Sequence, residues 1–142
     1  DGTTYRNIGS NTAGGAVPLT ALAQRTALAV NVEYIPLRVT TLVGTNQYWA
    51  YCPYAGAVTG IVSITEGVLT TGNATLTCKI GATAITDGVI TITQVGSAAG
   101  DVATATPSAA NPVVVGSKLS LTVGGTNATA TVANCWFEVT RS

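Results

Sequence analysis

The chain has 142 residues, a formal net charge of zero made from six basic and six acidic side chains, and no histidine. Nucleic-acid binding needs clustered Lys and Arg to neutralise phosphates, and Arg6, Arg25, Arg38, Lys79, Lys118 and Arg141 are spread along the whole sequence instead. Catalysis is disfavoured on the same ground, because Asp1, Glu33, Glu66, Asp87, Asp101 and Glu138 lie far apart and there is no imidazole to act as a base near neutral pH.

The length fits one domain able to bury roughly two-thirds of its unfolded surface. Charged residues make up 8% of the chain, about a third of the usual share, and the mean hydropathy is +0.41. A surface so poor in charge is expected to be covered by partners. Membrane insertion is not expected, since Thr, Gly, Asn or Ser interrupts every stretch before about 18 apolar residues accumulate, and aromatics at 6% are too few for the girdles of a transmembrane barrel. Cys52, Cys78 and Cys135 cannot all pair within the chain, and their spacing matches no zinc site. Cys78 falls in the inward phase of an alternating segment and reads as a small buried hydrophobe, which fits folding in a reducing cytosol. No cofactor, metal site or catalytic residue is expected.

Residues 1–27 form a polar, Gly- and Asn-containing arm that cannot bury enough apolar surface to hold a shape of its own. It is either disordered or laid across a neighbour, and Tyr5 and Arg6 are its candidate contact residues. The domain proper is expected over 28–142, where the period is two. Leu28 to Val43 predicts one long or two short strands, with Pro36 requiring an edge or a bend. Gln47 to Tyr54 carries the aromatics, Val58 to Glu66 follows, and Leu76, Cys78 and Ile80 share one face of the next strand against Thr75, Thr77 and Lys79.

Asp87-Gly88 between Ala84 to Thr86 and Val89 to Ile92 predicts a hairpin closed by a two-residue type I′ turn. Gln94 to Pro112 is a long connection of small residues, the kind that is functional or crosses between sheets. Lys118 to Val123, Gly124 to Asn127 and Ala128 to Thr140 predict a second hairpin. In its last strand Ala130 and Val132 are out of phase with Cys135, Phe137 and Val139, which predicts a bulge near Ala133-Asn134. About eight short strands with Gly and Pro turns give an all-β chain, a jelly roll or β-sandwich.

Tyr48, Trp49, Tyr51 and Tyr54 concentrate aromatic surface in seven residues. In a strand, Tyr48 faces one way and Trp49 and Tyr51 the other, so one set is core and the other is either core as well or a partner contact, with Tyr48, Trp49 and Tyr51 the candidates. A sugar platform is the alternative, with only Asn46 and Gln47 nearby to bind hydroxyls. Asn73-Ala74-Thr75 and Asn127-Ala128-Thr129 match the N-glycosylation pattern and are expected to be inert in a cytosolic setting.

Cys52-Pro53-Tyr54-Ala55-Gly56, Ile61-Val62-Ser63-Ile64, Asp87-Gly88-Val89-Ile90-Thr91-Ile92, Pro107 to Gly116 and Leu119-Ser120-Leu121-Thr122-Val123 together resemble the small β-domains of tailed-bacteriophage virions. The nearest likeness is to head decoration, or cement, proteins. The resemblance covers residues 50–142 and rests on strand and turn patterns. It implies a jelly roll on the outer surface of a virion capsid, assembled in the host cytoplasm and clamping copies of the major capsid protein, with a homodimer favoured over a trimer. The alternative it leaves is a carbohydrate- or receptor-binding head of a fibre or spike.

Overall fold

The computed structural model describes residues 31–142. The arm over 1–27, with Tyr5 and Arg6, and the expected strand start at Leu28 lie outside the described residues. Nine strands follow among the described residues: β1 (Val32–Val39), β2 (Gln47–Tyr51), β3 (Gly56–Thr65), β4 (Ala74–Ile80), β5 (Thr83–Ile92), β6 (Val102–Ala105), β7 (Pro112–Val113), β8 (Lys118–Gly125) and β9 (Ala133–Arg141).

Two antiparallel sheets form, one in the order β1-β9-β3-β6 with the short β7 also on β3, the other in the order β2-β8-β4-β5. Apart from the β4–β5 hairpin and the short β6–β7 step, consecutive strands pass from one sheet to the other. That interleaving is the double Greek key of a jelly roll, so the expected all-β fold class holds.

Period-two patterning builds the core between the sheets. Ala133, Cys135, Phe137 and Val139 of β9 are all buried, and Phe137 sits in register between Ile35 of β1 and Ile61 of β3. Opposite them Leu119, Leu121 and Val123 of β8 align with Ile80, Cys78 and Leu76 of β4. Each such Leu, Ile or Phe contributes about 1.5–3 kcal/mol on burial. Pro36 lies inside β1, opposite Trp136, and is tolerated because among the described residues β1 is an edge strand of its sheet, where a residue without an N–H can sit on the side away from the ladder.

Three local expectations are corrected. Asp87-Gly88 does not close a hairpin: it lies within β5, where the register with β4 shifts between Thr77 and Lys79, and only Asp87 of the pair has positive φ, 59°. The turn is one step earlier, at Gly81-Ala82 between the paired Ile80 and Thr83, with Gly81 at φ 59°, as the first position of a type II′ turn requires. The Asp87 excursion bonds to the following connection instead, through Thr86 N to Ala109 O at 3.0 Å and Ser108 Oγ to the Asp87 carboxylate. Secondly, β8 and β9 lie in different sheets and make no hairpin. Thirdly, β9 keeps one phase from Ala133 onward; the bulge falls on its neighbour β3, between Val58 and Gly60, and lets Val58 and Ile61 both face the core.

Candidate functional site

Tyr48, expected among the contact residues, belongs to the interior side of β2. It pairs with Leu121, packs against the core, and its hydroxyl accepts from Thr41 N at 3.2 Å and meets Thr40 Oγ1 at 3.1 Å. Trp49 and Tyr51 point the other way and are 51% and 61% exposed. The structure therefore keeps Trp49 and Tyr51 together and separates Tyr48 from them.

Register defines the surface around these two rings. Trp49 aligns with Ser120, and Ser120 with Lys79; Tyr51 aligns with Lys118. Gln47, Thr122, Thr77 and Val89 make the adjoining row across all four strands. Gln47 Nε2 donates to Ser120 Oγ at 2.9 Å, and Ser120 is fully buried although it lies on the outward face. The Thr122 hydroxyl is buried without a partner. This face is thus an aromatic edge beside a floor of hydroxyls and methyls, with Lys79 and Lys118 as its cations, and Trp49, Ala50, Tyr51 and Lys118 line a shallow depression in it.

The opposite outer face, on β1-β9-β3-β6, carries a second aromatic group that the sequence reading did not single out. Tyr34, Pro36 and Trp136 line a depression, and Pro36, Trp136, Val62 and Thr104 form one row across the sheet. On one side of it runs the row Arg38, Asn134, Ile64 and Val102, on the other Tyr34, Glu138 and Gly60. Tyr34 and Val102 are each 61% exposed. Arg38 Nη2 lies 3.2 Å from Glu66 Oε2, and Asn134 Nδ2 donates to Glu66 Oε1 at 2.8 Å. The signal for Trp136 was its position between Cys135 and Phe137: once those two face the core, Trp136 must face out.

Among the described residues no group of three His, Cys, Asp or Glu is placed to hold a metal ion, and no helix is long and apolar enough to cross a membrane. All three cysteines are free and buried. Burial pushes the Cys78 and Cys135 thiols up to about 12, because a thiolate would lose its hydration there.

No protein-family profile matches the sequence, and no curated protein matches it. Among solved structures the chain is similar to CsCBM6-3 from Clostridium stercorarium, determined in complex with cellobiose, at 17% identity over 72% of each chain with a TM-score of 0.46. It is also similar to a chain of the capsid asymmetric unit of cyanophage Pam1, at 17% identity over 78% of this chain and 85% of that one with a TM-score of 0.45.

Proposed function

We propose that this chain is a non-enzymatic virion protein, a cement or decoration protein that binds the outer surface of a phage head and bridges neighbouring copies of the major capsid protein. The observation that carries the reading is the outer face of β2-β8-β4-β5, where Trp49 and Tyr51 stand exposed beside rows of Ser and Thr, with cations only at Lys79 and Lys118 among the residues aligned there. Such a surface loses little by desolvation and offers large rigid contact area, the chemistry of a protein interface centre. The sequence resemblance to decoration domains supplies the class of partner, and many identical weak contacts on a symmetric shell reinforce one another by avidity.

Co-sedimentation with capsids stripped of the protein tests the reading. Saturable binding at a fixed ratio to the major capsid protein, lost in Trp49→Ala with Tyr51→Ala, supports it. Absence of saturable binding refutes it.

A glycan- or receptor-binding fibre head is the second reading, favoured by the two aromatic rings placed side by side over one depression. It requires saturable binding of an oligosaccharide that quenches Trp49 fluorescence, with no uptake onto capsids.

A further inference from the structure

We propose that the outer face of the β1-β9-β3-β6 sheet is the contact between two copies of this chain, related by a two-fold axis lying along the Pro36, Trp136, Val62 row. The face carries a continuous apolar row. Pro36, Trp136 and Val62 cross three adjacent strands in register, Ile64 and Val102 extend the patch on one side, and Tyr34 stands 61% exposed on the other.

Charge makes the face complementary to itself. The two ion pairs among the described residues join Arg38 to Glu66 and Arg141 to Glu33, so Glu138, on the same face as Trp136, takes part in neither. Its carboxylate rests over Gly60, where a Cβ would collide with it. Glu138 borders the apolar row, and among the described residues it forms no ion pair, so a carboxylate that an interface would cover here calls for a cation from the other side of that interface.

The face itself supplies that cation. An axis in the interface along the Trp136 row exchanges the Arg38, Asn134, Ile64 row with the Tyr34, Glu138, Gly60 row, strand for strand. Arg38 of the partner subunit, on the strand next to β9, then stands beside Glu138, and the symmetric pair forms on the other side of the axis. Arg38 can serve both acids, because it spends an Nη2 donor on Glu66 and a guanidinium carries five donors. Trp136 meets its own symmetry mate on the axis, as an isologous contact demands.

Sedimentation equilibrium on the free protein, from micromolar to submillimolar concentration, tests the inference without capsids, so that its failure and that of the capsid reading are separate results. The wild type is expected to be a dimer. Glu138→Arg alone and Arg38→Glu alone each weaken the dimer by about tenfold or more by setting like charges together, and the Arg38→Glu, Glu138→Arg double variant recovers it. Trp136→Ser and, on the exposed edge strand, Tyr34→Lys give folded monomers with urea transitions of unchanged slope. A wild type that is monomeric throughout overturns the inference, as does a dimer that survives Trp136→Ser and Tyr34→Lys, or a double variant that recovers nothing. A monomer in which Trp136→Ser abolishes capsid binding overturns it too and assigns the face to the capsid.

Discussion

Asn127 joins two loops that are distant in sequence: its Nδ2 donates to Leu42 O at 3.1 Å and to Thr129 O at 2.9 Å, while Thr129 N donates back to its Oδ1 at 2.9 Å. With Leu42 N bonded to Thr131 O at 2.9 Å, the β1–β2 and β8–β9 connections close one end of the sandwich. Asn127 is buried, so Asn127→Ala removes the side-chain partner of two carbonyls, Leu42 O and Thr129 O, and of one N–H, Thr129 N. The expected loss is about 1–3 kcal/mol, read as a lower urea midpoint at unchanged slope.

Two glycines separate conformational strain from collision. Gly81 has φ 59° with open space around it, whereas Gly125 has φ 91° and an added Cβ would strike Asn73 O. Gly81→Ala is expected to cost about 1–3 kcal/mol, the penalty of the positive φ alone. Gly125→Ala is expected to cost more, because the backbone at Asn73 must also move. Equal urea midpoints for the two variants would contradict this ordering.

The thiols give a pH dependence of definite sign. In the unfolded chain a thiol ionises near 9.0, while the folded Cys78 and Cys135 hold their protons up to about 12. Above pH 9 the unfolded state therefore releases protons that the folded state keeps, so these two groups contribute stability below that pH and lose it as pH rises through 9 to 12. Denaturation midpoints should fall across that window, less so in Cys78→Ala with Cys135→Ala. A disulfide-exchange reagent at pH 8 should label native protein slowly and denatured protein at all three cysteines.

Neighbouring residues of β2 should behave in opposite ways. Tyr48→Phe removes a hydroxyl bonded at Thr40 and Thr41 and should cost about 0.5–1.5 kcal/mol with capsid binding intact. Trp49→Ala, on the exposed side, should change stability by no more than about 0.5 kcal/mol and weaken capsid binding strongly. Thermal midpoints and co-sedimentation on the same two variants check both halves.

What the sequence made legible was whatever depends on local alternation. The strand of Leu76, Cys78 and Ile80 was readable because three apolar residues share one phase, and Pro36 by its chemistry alone required an edge or a bend, of which the structure shows an edge among the described residues. Pairing was less legible. Asp87-Gly88 has the composition of a hairpin turn, yet Gly81-Ala82 makes the turn and Asp87 bonds Ser108 instead. The β8 and β9 segments looked like a hairpin because four turn residues separate Val123 from Ala128, and nothing local says that the chain changes sheets there. At the candidate surface the shared phase of Trp49 and Tyr51 was legible from parity but not which phase faces out, so Tyr48 was grouped with them, whereas Tyr34 and Trp136 come together only through the β1–β9 register, a contact between opposite ends of the domain.

Capsid bursting tests the central claim most directly. Capsids stripped of the protein should still be intact particles but should burst at lower temperature than decorated ones, because binding to the finished shell stabilises it by mass action. Adding the protein back should restore the higher temperature, and should do so at roughly 1 M salt, where the Debye length is about 3 Å, since the proposed contact is made by Trp49, Tyr51 and the hydroxyl floor rather than by charge. Identical bursting temperatures for stripped and fully decorated capsids would contradict the cement role, and restoration only at low salt would contradict the apolar contact.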